Sequence, residues 1–136
     1  MNIFKSIKPK HESLRELPNN VYKKLPLKVL NKKTLFYLQR NFPEQLLTIL
    51  NSKHTDYFDK CIVLEVMSRC VESEVIIDSL IAYSKHELPA IREAAVYSLS
   101  FFPTFQVIEI LDEIEKIEYN EVIRDCAKLY LDEIFI

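Results

Sequence analysis

Apolar positions recur along this chain at helical spacing, and strict apolar–polar alternation never persists long enough to indicate a sheet. Three compact stripes stand out: Leu46, Leu47 and Leu50; Ile76, Ile77 and Leu80; and Val107, Ile108 and Leu111. Each predicts the first helix of a helix pair. The second helices are expected over residues 56–71, 88–101 and 120–134, with apolar side chains at i, i+4 and i+8, as helix packing requires. In the middle one these are Ile91, Ala95 and Leu99; in the earliest, Phe58, Ile62 and Val66 fit the stripe. Pro43 sits where proline opens a helix, and Ser73, Thr104 and Asn120 stand at N-cap positions. Upstream, residues 32–40 read as a helix with Leu35, Phe36 and Leu38 on its apolar face. Residues 18–30 suggest short turns broken at Pro26, Ser13–Glu16 has capping-box form cut short by Pro18, and residues 1–12 show no period.

One phrase occurs twice. Residues 89–99 and 121–131 match at Ile91 and Ile123, Arg92 and Arg124, Ala95 and Ala127, and Leu99 and Leu131, a period of 32 that marks a repeat architecture. In the earliest copy the arginine position is read as Asp59. Lys53-His54 and Lys85-His86 fall in equivalent loops between helices.

The pattern Ile-Arg-x-x-Ala-x-x-x-Leu, each copy preceded by an apolar helix, resembles HEAT-like repeats of the short kind. The resemblance implies an all-α, right-handed α-solenoid of about three HEAT-like helix pairs in one domain. Residues 43–136 would form the repeats and residues 1–42 a degenerate, basic N-terminal helical cap. It further implies that the second helices line a concave side that commonly binds partners. Arg92 and Arg124 would each pair with an acid of the preceding loop, for which Glu87 and Glu118 are placed.

Composition narrows the chemistry. Glycine is absent, which removes phosphate-cradling loops and the dinucleotide fingerprint, since both need close backbone approach. Asn31, Asn41 and Asn51 stand where helices should stop, asparagine being tolerant of the left-handed conformation. No secretory h-region opens the sequence and no apolar run approaches the ~18 residues that span a bilayer. Cys61, Cys70 and Cys126 lack zinc-type spacing and are expected to be buried, reduced thiols, Cys126 replacing the Ala94 of the other copy. A cytoplasmic protein without metal or cofactor is the expectation. His11, His54 and His86 are dispersed and suggest no catalytic arrangement, so no enzyme is expected.

Charge carries the functional signal. Residues 1–53 hold eleven Lys/Arg against three acids, a balance of +8, whereas residues 54–136 hold seven against seventeen, a balance of −10. Such asymmetry between halves points to an electrostatic partner. Glu109, Asp112 and Glu113 share one face of their helix, opposite Ile108 and Leu111, and read either as a solvated row or as a docking surface for a basic partner. On the second helices Glu93 and Tyr97 occupy one face, Asp125, Lys128 and Asp132 a similar one, and Glu65 and Arg69 extend it. Tyrosine beside carboxylates suits a protein interface.

A compact, acidic-faced helical repeat without chemistry resembles a class of bacterial immunity proteins, which bind a cognate toxin domain and block it. That resemblance implies a monomer forming a 1:1 complex with a basic toxin domain of the nuclease type, whose phosphate-binding surface an acidic inhibitor can occupy by mimicking nucleic acid. Two alternatives stay open: a general adaptor or scaffold subunit, and a nucleic-acid binder or base-repair protein acting through Lys23, Lys24, Lys28, Lys32 and Lys33.

Overall fold

The computed structural model describes residues 32–134, and among them it is all-helical, without strands. Seven helices follow one another: α1 Lys32–Asn41, α2 Pro43–Leu50, α3 Tyr57–Met67, α4 Glu74–Tyr83, α5 Pro89–Leu99, α6 Phe105–Ile117 and α7 Glu121–Ile134. The expected turns and capping box upstream of residue 32 lie outside the described residues.

Local chemistry sets the helix starts. Pro43 and Pro89 occupy the first turns of α2 and α5, where a missing N–H leaves no bond unmade. Ser73, Thr104 and Asn120 accept from the main-chain N–H of Ile76, Val107 and Ile123, each at 3.2 Å. Asp56 caps α3 in the same way, accepting from Asp59 N–H at 2.8 Å. The helix ends differ from expectation, because no described residue has positive φ. Asn51 stays in the right-handed region, and Asn41 sends its side-chain amide back to the Tyr37 carbonyl at 3.0 Å. Three helices instead end on a serine, Ser68, Ser84 and Ser100, whose hydroxyls donate to the carbonyls of Glu65, Ile81 and Tyr97 at 2.6, 2.6 and 2.5 Å. These tight turns need no glycine.

Substantial helix–helix contacts join only helices adjacent in the chain or one removed. α3 packs most extensively on α5 and α6 on α7, while α5 also packs on α4 and on α7, and α4 meets α6. Most of each predicted stripe is buried: Leu35 and Leu38; Leu46 and Leu50; Ile76, Ile77 and Leu80; Ile91, Ala95 and Leu99; Val107 and Leu111; Ile123, Ala127 and Leu131. Leu47 and Ile108 are only half-buried, and Phe36 is exposed. A buried serine ties α5 to α3, the Ser98 hydroxyl donating to the Leu64 carbonyl.

The earliest repeat copy corrects the sequence reading. Phe58, placed in the apolar stripe, is 67% exposed, whereas Val63 and Met67 are fully buried. Val63 and Met67 precede Ala95 and Leu99 by the same 32 residues that separate the other two copies. In this register the arginine position holds Lys60, not Asp59. Lys60 behaves accordingly: its Nζ donates to the carbonyls of Leu50, at the end of α2, and Ser52, in the loop before α3, and lies 5.9 Å from the centre of the Tyr83 ring. Burial lowers its pKa.

Arg92 makes the same connections more fully. Its Nη1 donates to the carbonyls of His86 and Glu87 in the preceding loop, both at 3.0 Å. Its Nε and Nη2 grip the Glu118 carboxylate at 2.8 and 3.1 Å, and the Tyr119 ring centre lies 5.1 Å from the guanidinium carbon. The acid that pairs with Arg92 therefore comes from the loop after the next helix, α6, while Glu87 of the preceding loop offers only its main chain. Arg124 repeats the first half, donating from Nη1 to the Glu118 carbonyl at 3.2 Å. Lys60, Arg92 and Arg124 form a ladder of cations, each fastening a second helix to the loop before it.

Candidate docking face

The second helices α3, α5 and α7, with the turns that end α3 and α5, present three rows in the 32-residue register. They are Cys61, Glu93 and Asp125; Glu65, Tyr97 and Leu129; and Arg69, Phe101 and Glu133. Eight of these nine side chains are exposed, Cys61 being half-buried. Leaving Tyr97, Phe101 and Leu129 at 39%, 49% and 55% exposure forgoes apolar burial. Tyr97 and Phe101 meet edge to face at 5.3 Å, which holds both rings upright on the surface.

Glu93 sits at the electrostatic centre. Burial raises the pKa of the Cys61 thiol on α3, and the charges of Glu65 and Glu93 raise it further. On α7, burial, Glu93 and Asp125 raise Cys126, partly offset by its hydrogen bond with Tyr130. Tyr130 is raised by burial and by Cys126, Tyr97, Glu133 and Glu93. One carboxylate thus bears on three groups from both flanking helices, and Tyr97 bears on Tyr130. Between α1, α3 and α5 a hollow of about 170 Å³ opens, walled by Phe36, Glu65, Arg69 and Tyr97 over Ile62 and Val66. It has room for one side chain.

The structure divides the residues singled out in the sequence. Glu65, Arg69, Glu93 and Tyr97 come together across α3 and α5, and Asp125 continues the Glu93 row. Lys128 and Asp132 are also exposed on α7, but in register they follow Val96 and Ser100; Val96 is fully buried, so Lys128 lies on a flank of α7 that is open where that of α5 is covered. Glu109, Asp112 and Glu113 are exposed on α6. Asp112 pairs there with Lys116 at 3.0 Å, and Glu113 borders a separate groove of about 520 Å³ with Lys85, His86 and Tyr119. No carboxylate of α6 is among the charges acting on Cys61, Cys126 or Tyr130. The acidic residues therefore do not form one surface.

Phe101 and Glu133 belong to the face and were missed in the sequence, although the period of 32, extended from Arg69, points to both. Tyr130 is among the tyrosines the sequence suggests for an interface, and Phe36, expected on the apolar side of α1, is instead 39% exposed beside the hollow. The cysteines are also corrected: only Cys70 is buried, and Cys61 and Cys126 are partly exposed, because they border the open face. All three thiols are pushed up, Cys70 to about 11 by burial and by Glu44, so they are protonated at neutral pH and poor nucleophiles. Among the described residues no group of three His, Cys, Asp or Glu side chains could hold a metal ion, and no helix is long and apolar enough to cross a membrane. The face carries exposed aromatic rings beside the carboxylates of Glu65 and Glu93 and the guanidinium of Arg69.

No family model, no curated protein and no solved structure matches the chain.

Proposed function

We propose that this protein is a non-catalytic, HEAT-like α-solenoid that binds a protein partner through the α3–α5–α7 face. We further propose that the partner is a basic antibacterial toxin domain of the nuclease type, which it neutralises as an immunity protein. The observation that carries the reading is the cluster around Glu93, where Glu65, Tyr97 and Phe101 stand exposed with Cys126 and Tyr130 at its edge. Tyrosine and arginine are the residue types that dominate binding energy at interfaces, and carboxylates beside them select a cationic counterpart. The −10 balance of residues 54–136 would speed encounter with a phosphate-binding enzyme. The contact pattern of helices packed on near neighbours, with a cation recurring every 32 residues, supports the solenoid reading.

Growth rescue tests the proposal. The C-terminal domain of the protein encoded immediately upstream is expressed with the wild-type protein, with Glu93→Lys/Tyr97→Ala, or with Glu109→Lys/Asp112→Lys/Glu113→Lys. Rescue by the wild type and by the α6 variant, and its loss with the Glu93/Tyr97 variant at unchanged helical circular dichroism, is the expected result. Absence of toxicity or of rescue sinks the immunity reading, and recovery of several partners through the same face would identify an adaptor instead. Equal rescue by all three proteins would remove the face itself.

A further inference from the structure

The cation ladder is complete at Arg92 and half-complete at Arg124. Arg92 uses one edge of its guanidinium to hold the loop before its helix and the other to hold Glu118, with Tyr119 over it. Arg124 holds the loop before its helix through one bond, from Nη1 to the Glu118 carbonyl. Its Nε and Nη2, the atoms that at Arg92 take the carboxylate, have no partner among the described residues. Arg92 is 7% exposed, whereas Arg124 is half-exposed, as expected of a position whose outer edge is uncovered. One turn along α7, Lys128 stands exposed where α5 carries the buried Val96, and it makes no ion pair among the described residues. A lysine there discourages a further apolar helix and adds a second positive charge beside Arg124.

We propose that Arg124 is an open carboxylate-binding site, whose occupant is an acidic side chain followed by an aromatic residue on a partner protein. The internal Glu118–Tyr119 pair is its template. A planar guanidinium with one edge anchored presents the other as a fixed fork, matched to a carboxylate by two parallel bonds, and an adjoining ring covers its face. Lys128 reinforces the preference for negative charge. This site is separate from the Glu93 cluster and selects the opposite charge, so it stands or falls independently of the immunity reading.

The test is a titration of the full chain, followed through the Arg124 Nε–H resonance and assigned by its loss in Arg124→Lys. The probe is the peptide Lys-Ile-Glu-Tyr-Asn, the sequence of residues 116–120. Its controls are the same peptide with glutamine for glutamate, the same peptide with alanine for tyrosine, and inorganic phosphate. The resonance should shift on addition of the first peptide, with affinity about tenfold weaker for the glutamine peptide, the size expected from losing a charge-assisted pair. The alanine peptide should fall between them. Equal responses to the glutamate and glutamine peptides, shifts confined to other residues, or phosphate binding as well as the peptide would each overturn the proposal. Because the decisive comparison is between peptides, it does not depend on the folding of any Arg124 variant.

Discussion

Arg92 and Glu118 are 26 residues apart, on a helix and on the loop beyond the next one, yet they form a bidentate pair at 2.8 and 3.1 Å. Their side chains are only 8% and 7% exposed. The second Glu118 oxygen also accepts from the Asn120 N–H at 2.9 Å, and the residue's own carbonyl receives Arg124. Glu118 therefore links two rungs of the ladder. Glu118→Gln keeps the shape and removes the charge, leaving a buried guanidinium uncompensated. Loss of a partner from such a pair costs about 3–5 kcal/mol, and a urea midpoint measured at neutral pH should fall accordingly. An unchanged midpoint would mean that the pair contributes nothing.

The same pair makes stability depend on acid pH. Burial alone would raise the Glu118 pKa, but the Arg92 guanidinium and the N–H groups of Asn120 and Tyr119 more than offset it and hold the carboxyl below its ordinary value of 4.5. A lowered folded-state value means that the contribution is fully present above that ordinary value and is lost as pH falls through the folded one. The stability gap between wild type and Glu118→Gln should therefore be constant at neutral pH and narrow as the pH falls below the ordinary value of 4.5. A gap that stays constant below that value would contradict it.

Lys60 should be replaceable by the residue its register implies. Lys60→Met removes two charge-assisted bonds, to the carbonyls of Leu50 and Ser52, which keep the Tyr83 hydroxyl and the Thr55 N–H as partners, and should cost about 1–2 kcal/mol. Lys60→Arg, which restores the cation found at the other two rungs, should keep most of the wild-type stability. Thermal melts of the two variants decide this, and equal losses would show that the position is not equivalent to Arg92.

Thiol labelling reads the field at the docking face. Cys70, buried and raised to about 11, should be the slowest of the three toward an alkylating reagent in the folded protein. Glu93 raises both Cys61 and Cys126, so Glu93→Gln should speed labelling at those two and move their rate profiles to lower pH, while Cys70 stays unchanged. Mass spectrometry after timed quenching gives each rate. If Cys61 responds and Cys126 does not, Glu93 does not reach both helices.

The helices and their buried stripes were legible in the sequence because both are local matters. An i, i+4, i+8 pattern puts Ile91, Ala95 and Leu99 on one side of a helix whatever lies opposite, and a cap such as Thr104 bonds three residues away. The equivalence of Arg92 and Arg124 was legible too, since a repeat displays it directly. Only the tertiary structure decided what meets what. Phe58 and Val63 are both apolar and could each have headed a stripe; packing of α3 against α5 buried one and exposed the other. Arg92 had acids available in the loop before its helix and in the loop after the next helix, and the stacking of helices brought Glu118, not Glu87, to its guanidinium. The sequence put the acidic residues on two faces, Glu109, Asp112 and Glu113 on one and Glu93 and Asp125 on another, but did not show how those faces lie to each other. Folding put Glu93 between two flanking helices and left Asp112 to pair with Lys116 on α6. A helical period tells which side of each helix is apolar, and the distances between helices are set by how those sides fit together.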